Sequence, residues 1–256
     1  MSLESAYDAI QNELHVQLDE SFDTVRAVQR YRDMWKPDNR VRVVLLAESH
    51  VFTSDNERIN NAASRDRLAE INAPDCSTDF VRFVYNLAYG ESDLMQNQAP
   101  PEFNNSGTPQ FWKIFYACLN QVSDSKEAFS PILRTRCPDF HSRLGNKLGV
   151  LRSLKERGIW LVDASIIGIY RGRDIPYGAV INHSWQEFVG PLLKSISPEL
   201  VFVIGHGVWK SLSALMDSKL RSRCHVLYQP QARISTQEHT RQYQCLYNGC
   251  KYFAPK

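Results

Sequence analysis

VRVVLLA, residues 41–47, followed by the polar stretch ESHVFTSDNE, residues 48–57, decides the fold. A short, β-branched, almost continuously apolar run belongs to a strand buried on both faces, as parallel strands are. A strand with one wet face would alternate polar and apolar residues instead. Three later runs read as further strands: IWLVDA at 159–164, again buried, LVFVIG at 200–205 and HVLYQP at 225–230. Between them the apolar spacing turns helical. Leu148, Leu151 and Leu154 share a face, with Gly158 where a C-terminal cap belongs. Ser184 and Glu187 have capping-box spacing ahead of Trp185, Phe188, Val189, Leu192 and Leu193. Val208, Trp209, Leu212 and Leu215 follow the third run. Strands alternating with helices predict an α/β chain, a three-layer α/β/α sandwich around a four-stranded parallel sheet.

Working outward, Leu3 to Leu18 carries Tyr7, Ile10, Leu14 and Leu18 at helical spacing. Phe22 to Trp35 reads as a second helix, stopped by Pro37. Residues 1–40 thus form a helical extension packed on a single domain that spans 1–256. Residues 78–88 read as a helix ending at Tyr89-Gly90, and 91–108 as a loop. Thr108-Pro109 starts a helix, Thr as N-cap and Pro in the first turn, which continues through Phe111, Ile114, Phe115, Cys118 and Leu119. Residues 121–143 show no clear period.

Apolar residues make up 43% of the chain, enough for one sizeable core. No apolar run approaches the roughly 18 residues of a membrane span. The opening MSLESAYDAI has no basic start leading into an apolar stretch. A cytoplasmic, nucleoid-associated protein without membrane contact is expected. The six cysteines, at 76, 118, 137, 224, 245 and 250, form no C-x-x-C pair. They read as free thiols in a reducing compartment, with no metal or iron–sulfur cluster and no cofactor. A net charge of +2 does not by itself indicate a polyanionic partner. Local basic residues (Arg134, Arg136, Arg171, Arg173, Arg221, Arg223, Arg233, Arg241) would do so only if several met around one cleft.

In parallel sheets ligands bind outside the carboxyl ends of the strands. Those ends carry Glu48-Ser49-His50, Asp163-Ala164-Ser165, Gly205-His206-Gly207 and Gln229-Pro230-Gln231, all polar or small.

The segments GIWLVDASIIGIY (158–170), NHSWQEF (182–188), PELVFVIG (198–205), HVLYQPQARIS (225–235) and YNGCKYF (247–253) resemble, in order and spacing, the uracil-DNA glycosylase superfamily. TPQFWKIF (108–115) is similar to a helix of its mismatch-specific and hypoxanthine-type branches. The resemblance covers about residues 41–253. Both family signatures are altered. Gly, any residue, Asp or Asn, Pro is matched by Ala47-Glu48-Ser49-His50. His-Pro-Ser-Pro followed by Leu or Arg is matched by Gln229-Pro230-Gln231-Ala232-Arg233. These departures point away from uracil as the simple substrate.

The resemblance implies a monomeric, monofunctional DNA glycosylase that flips a damaged or modified base out of DNA and hydrolyses its N-glycosidic bond. It assigns Glu48, Ser49, His50 and Asp163 to catalysis, with Asp55 in reserve for Glu48. Val51, Tyr89, Asp163 and Gln229 would hold the base. Tyr89 would stack on it, and Val51 would leave room for a substituent. Asp163 would accept an N–H from its edge. Gln231, Arg233 and His206 would contact DNA, Arg233 as the plug in the emptied stack. The plainer reading of each stays open: strand-end or turn cap for Glu48, Asp163 and His50, core packing for Tyr89, surface charge for Arg233. Two further readings stand beside repair: a defence enzyme excising a modified cytosine from foreign DNA, and a catalytically inactive nucleic-acid-binding protein on the same fold.

Overall fold

The computed structural model describes residues 2–14, 18–96, 108–169 and 176–253. Arg171 and Arg173 lie outside them. Four strands form one all-parallel sheet in the order β2-β1-β3-β4: β1 Val43–Ala47, β2 Ile159–Asp163, β3 Leu200–Ile204 and β4 Cys224–Leu227. The three strands of the β2-β1-β3 core are almost wholly buried, as their unbroken apolar runs require. Ala47 pairs with Asp163, and Leu46 with both Val162 and Val203, so these carboxyl ends finish level.

The crossovers place the helices. From β1 the chain moves to β2 on one side, through α3 (Asp55–Asn60), α4 (Arg65–Glu70), α5 (Thr108–Leu119) and α6 (Phe140–Glu156). From β2 it returns past β1 to β3 through α7 (Tyr177–Ser184) and α8 (Gly190–Ile196), and continues to β4 through α9 (His206–Leu212) and α10 (Ser218–Arg221). Right-handed crossovers running in opposite directions cover opposite faces, which is the expected three-layer arrangement. The last helix, α11 (Thr236–Cys250), packs on α5 and lays Gly249 against Phe202 and Leu200, where an added Cβ would come within 2.6 Å of the Phe202 ring. The two leading helices, α1 (Leu3–Leu14) and α2 (Phe22–Met34), pack on this frame. The Trp160 indole N–H of β2 donates to the Arg32 carbonyl at 2.8 Å. None of the described helices is long and apolar enough to cross a membrane.

Three sequence expectations need correction. The first helix is described over Leu3–Leu14, and Leu18 is not helical. Residues 78–88 are not a helix but a chain of turns. Their apolar residues are buried because the segment fills the core beside the cleft. Its polar backbone is satisfied from outside any helix: Asn86 Nδ2 donates to the Val81 carbonyl, and the Arg82 amide donates to Thr53 Oγ1. Ser184 does not open a helix. α7 runs through a π-turn, Trp185–Val189, directly into α8. Pro191 has no N–H to give an α-helical ladder, and the Gly190 N–H reaches back five residues to the Trp185 carbonyl. Ser184 is buried, and its Oγ accepts from the Ile166 amide at 3.2 Å.

The connections from β1 and β3 leave in opposite directions. The topological switch point therefore falls between their carboxyl ends, beside Glu48 and Gly205.

Candidate functional site

A cleft of about 100 Å³ opens at that switch point. Phe83, Val84, Phe111, Leu161 and Ile204 form its apolar wall, and Glu48, His50, Asp163 and Gln229 supply most of its polar groups.

Glu48 follows β1 directly and is nearly buried. The Tyr177 hydroxyl donates to its Oε1, and Gln229 Nε2 donates to its Oε2 at 3.2 Å. Gln229 can reach it because residue 205 is glycine. With φ +116°, Gly205 holds a backbone that other residues rarely adopt, and an added Cβ would sit 3.1 Å from Gln229 Cγ. The turn between β3 and α9 is thus shaped around the Gln229 side chain.

Behind Glu48 lies a buried chain of four charged groups: Glu20, His50, Asp163 and Arg32. His50 Nε2 is 2.9 Å from Glu20 Oε2, and its Nδ1 is 3.6 Å from Asp163 Oδ2. Arg32 Nη2 donates to that same Oδ2 at 2.8 Å. The Arg32 guanidinium also lies over the Phe83 ring, 5.2 Å from its centre. Burial alone would drive the His50 imidazolium to give up its proton. The charge and hydrogen bond of Glu20 and the charge of Asp163 outweigh that, and His50 is held up at about 9. Two carboxylates then face two cations, so the chain is buried without net charge, which is the condition under which such groups persist in a core. Glu20 is the anchor. Its Oε2 also accepts the Gly168 amide at 2.6 Å, and its Oε1 accepts the Thr53 amide at 3.1 Å. One side chain thereby ties the α1–α2 connection to the loops leaving β1 and β2.

The cleft gathers Glu48, Ser49, His50, Val51, Tyr89, Asp163, Gln229 and Gln231. Tyr89 is 4% exposed and meets Phe80 edge-on at 6.4 Å. Ser49 Oγ accepts the Ile169 amide at 3.4 Å. His206 and Arg233 are not among the lining residues. His206 is exposed at the start of α9, its ring 4.5 Å from that of Tyr228, and Arg233 is exposed on the loop after β4. Asp55 sits away from the cleft at the start of α3. There the Ser21 hydroxyl, and further the Arg58 guanidinium, hold its carboxyl below the usual range. The other arginines of that set that are described do not meet at the cleft. Arg134 pairs with Asp93, Arg136 with Glu127 and Arg241 with Glu238, while Arg221 and Arg223 bind the carbonyls of Met216 and Pro198. Among the described residues no cluster of His, Cys, Asp and Glu could hold a metal ion.

Sequence reasoning missed Glu20, Arg32 and Tyr177. For Arg32 a signal existed. Val25, Val28 and Arg32 stand three and four residues apart on the buried stripe of α2, and an arginine on an apolar face needs a buried partner. Glu20 and Tyr177 carry no such local mark.

No family model, curated protein or solved structure matches the chain.

Proposed function

We propose that the chain is a DNA glycosylase of the uracil-DNA glycosylase type, holding a flipped-out base in the cleft and hydrolysing its bond to the sugar. The observation that carries this reading is the placing of Glu48. A carboxylate stands at the switch point of a doubly wound parallel sheet, in a cleft with an apolar wall and a buried aromatic, Tyr89. Breaking the N-glycosidic bond leaves positive charge on the sugar. Water adds to the sugar carbon, and the base departs with a proton. A carboxylate at that point stabilises the charge or takes the proton from water, and a low-dielectric surrounding strengthens either effect. Tyr89 offers the base a stacking face, Val51 leaves space beside it, and Asp163 and Gln229 meet its edge. Gln231 lines the cleft, and DNA bound there would meet Arg233 and His206 outside its lining. The chemistry of this reading requires no cofactor.

The test is a panel of oligonucleotides carrying uracil, hypoxanthine and modified cytosines, incubated with the protein and then cleaved with alkali at abasic sites. Strand breaks at one modified base support excision, and which base it is separates repair from defence. A panel without breaks contradicts it. A protein that binds nucleic acid without cutting it has one observation in its favour: both oxygens of Glu48 already accept protein donors. Binding to the same oligonucleotides without abasic sites would select that reading.

A further inference from the structure

We propose that a second groove, at the amino ends of the strands and so at the opposite end of the sheet from the cleft, binds single-stranded nucleic acid. Arginines would hold its phosphates, and Tyr252 would stack on a base.

The groove encloses about 660 Å³ between the segment that leads into β1, the end of α6 and the residues after α11. Its lining includes Arg40, Arg42, Arg152, Lys155 and Arg157, against two carboxylates, Asp38 and Glu156. Some of this charge has a local purpose. Lys155 and Arg157 lie at the carbonyl end of α6, which attracts cations. Lys155 also meets Asp38 at 2.9 Å, and Arg40 meets Glu199 at 3.4 Å. The helix end does not account for Arg40 and Arg42, which come from a different segment. Neither Arg42 nor Arg157 pairs with a carboxylate among the described residues.

Two further observations specify the partner. Tyr252 is 78% exposed, the most exposed of the large hydrophobic side chains among the described residues. Beside it the Arg42 guanidinium lies over the Phe253 ring, 5.6 Å from its centre. Cations interleaved with aromatic faces fit a phosphodiester chain whose bases are unpaired, because a duplex hides the faces that Tyr252 would stack on. The floor is also preorganised. The Arg42 and Val43 amides donate to the Gly158 carbonyl at 2.8 and 3.0 Å, and the Arg42 carbonyl accepts from Glu199 and Leu200. A Cβ on Gly158 would come 2.6 Å from the Arg40 carbonyl oxygen, so glycine there lets the end of α6 tuck under the arginines.

The test uses the full chain and a short fluorescein-labelled oligothymidylate, a probe that contains no modified base. Hydrogen exchange should show protection on binding in peptides covering 36–42, 152–158 and 250–253, and by anisotropy the affinity should fall with salt. Arg40→Ala with Arg157→Ala should weaken binding about tenfold and flatten the dependence of log K on log salt by roughly 0.7 for each phosphate that is no longer neutralised. Tyr252→Ala should weaken it about tenfold with the salt slope unchanged, and Tyr252→Phe should restore it. Exchange in the unliganded variants checks that each is folded. Protection confined to 48–53 and 228–233, or affinity indifferent to these substitutions, overturns the proposal. So does an acidic polypeptide that competes fully while Tyr252→Ala changes nothing, since the groove would then be a general polyanion surface. Base excision is measured separately on the same variants, so failure here leaves the reading of the cleft untouched, and the reverse also holds.

Discussion

His50 has a charge state that can be checked directly. Its imidazolium is held at about 9 by Glu20 and Asp163 against the effect of burial. Because the folded value lies above the ordinary 6.5, the stabilisation it brings is complete below about pH 6.5 and is lost as pH rises through 9. At 1.36 kcal/mol per pH unit the loss is on the order of 3 kcal/mol. Urea unfolding between pH 6 and 10 should show this decline. A flat profile would mean that His50 titrates at the same pH folded and unfolded, and a rise between pH 6 and 7 that it is neutral when folded. Glu20→Gln removes the first of the two carboxylates, and a nitrogen-15 titration of His50 should then find its midpoint well below that of the wild type. Asp163 invites a related prediction. Its Oδ2 receives Arg32 in a fully buried pair, so Asp163→Asn leaves a buried guanidinium without its counter-charge. Breaking such a pair costs about 3–5 kcal/mol. A drop of that size in denaturant stability would show that Asp163 is structural as well as cleft-lining. A substrate preference measured on Asp163→Asn then has to be read together with its stability.

At the scale of elements, one turn and one ion cluster hold the frame. Gly158, with φ +77°, ends α6 in contact with the Arg40 carbonyl. Gly158→Ala should destabilise the chain by roughly 1–3 kcal/mol in urea unfolding, through backbone strain and the clash together. A change within error would mean that the turn relaxes without cost. Well ahead of α5 in the chain, Glu91 accepts two cations of α6, Arg143 at 2.8 Å and Lys147 at 2.5 Å, all three nearly buried. Desolvation would raise the Glu91 carboxyl, but the charges and hydrogen bonds of Lys147 and Arg143 bring it below its ordinary range. Glu91→Gln should therefore cost several kcal/mol, as two buried cations lose their counter-charge.

The same elements show what sequence makes legible. The strands announce themselves because burial on both faces demands unbroken apolar runs, and Ile159–Asp163 and Leu200–Ile204 fall within a residue of expectation. Residues 78–88 mislead because apolar spacing reports burial, not backbone conformation. Phe80, Phe83 and Tyr85 are buried by turns whose hydrogen bonds come from Thr53 and Asn86. Ser184 and Glu187 mislead because capping-box spacing also occurs inside a helix that never stops. Strand ends are equally readable, and Glu48, His50, Asp163 and Gln229 stand at or just beyond them. Glu20 lies 30 residues from His50, and Arg32 lies 131 from Asp163. No local pattern encodes such pairings; only the packing of α2 and the segment before it against the ends of β1 and β2 brings them together.

For the whole molecule, the arrangement makes the leading helices part of the site. α2 and the segment before it supply Arg32 and Glu20, which position His50 and Asp163 beside the cleft. The carboxyl ends of the strands hold the cleft, and the amino ends hold the basic groove. The claim on which the functional account rests is that Glu48 works on a bond between base and sugar. The direct measurement is release of free base from DNA carrying the modified base that the oligonucleotide panel identifies, followed by mass spectrometry for wild type and for Glu48→Gln, with unfolding curves to show that both are folded. The account predicts free base and a matching number of abasic sites from the wild type. With Glu48→Gln, release should be slower by about 10²–10⁴, the range of general acid–base catalysis. Equal release from both proteins, or none from the wild type on any base of the panel, would contradict it.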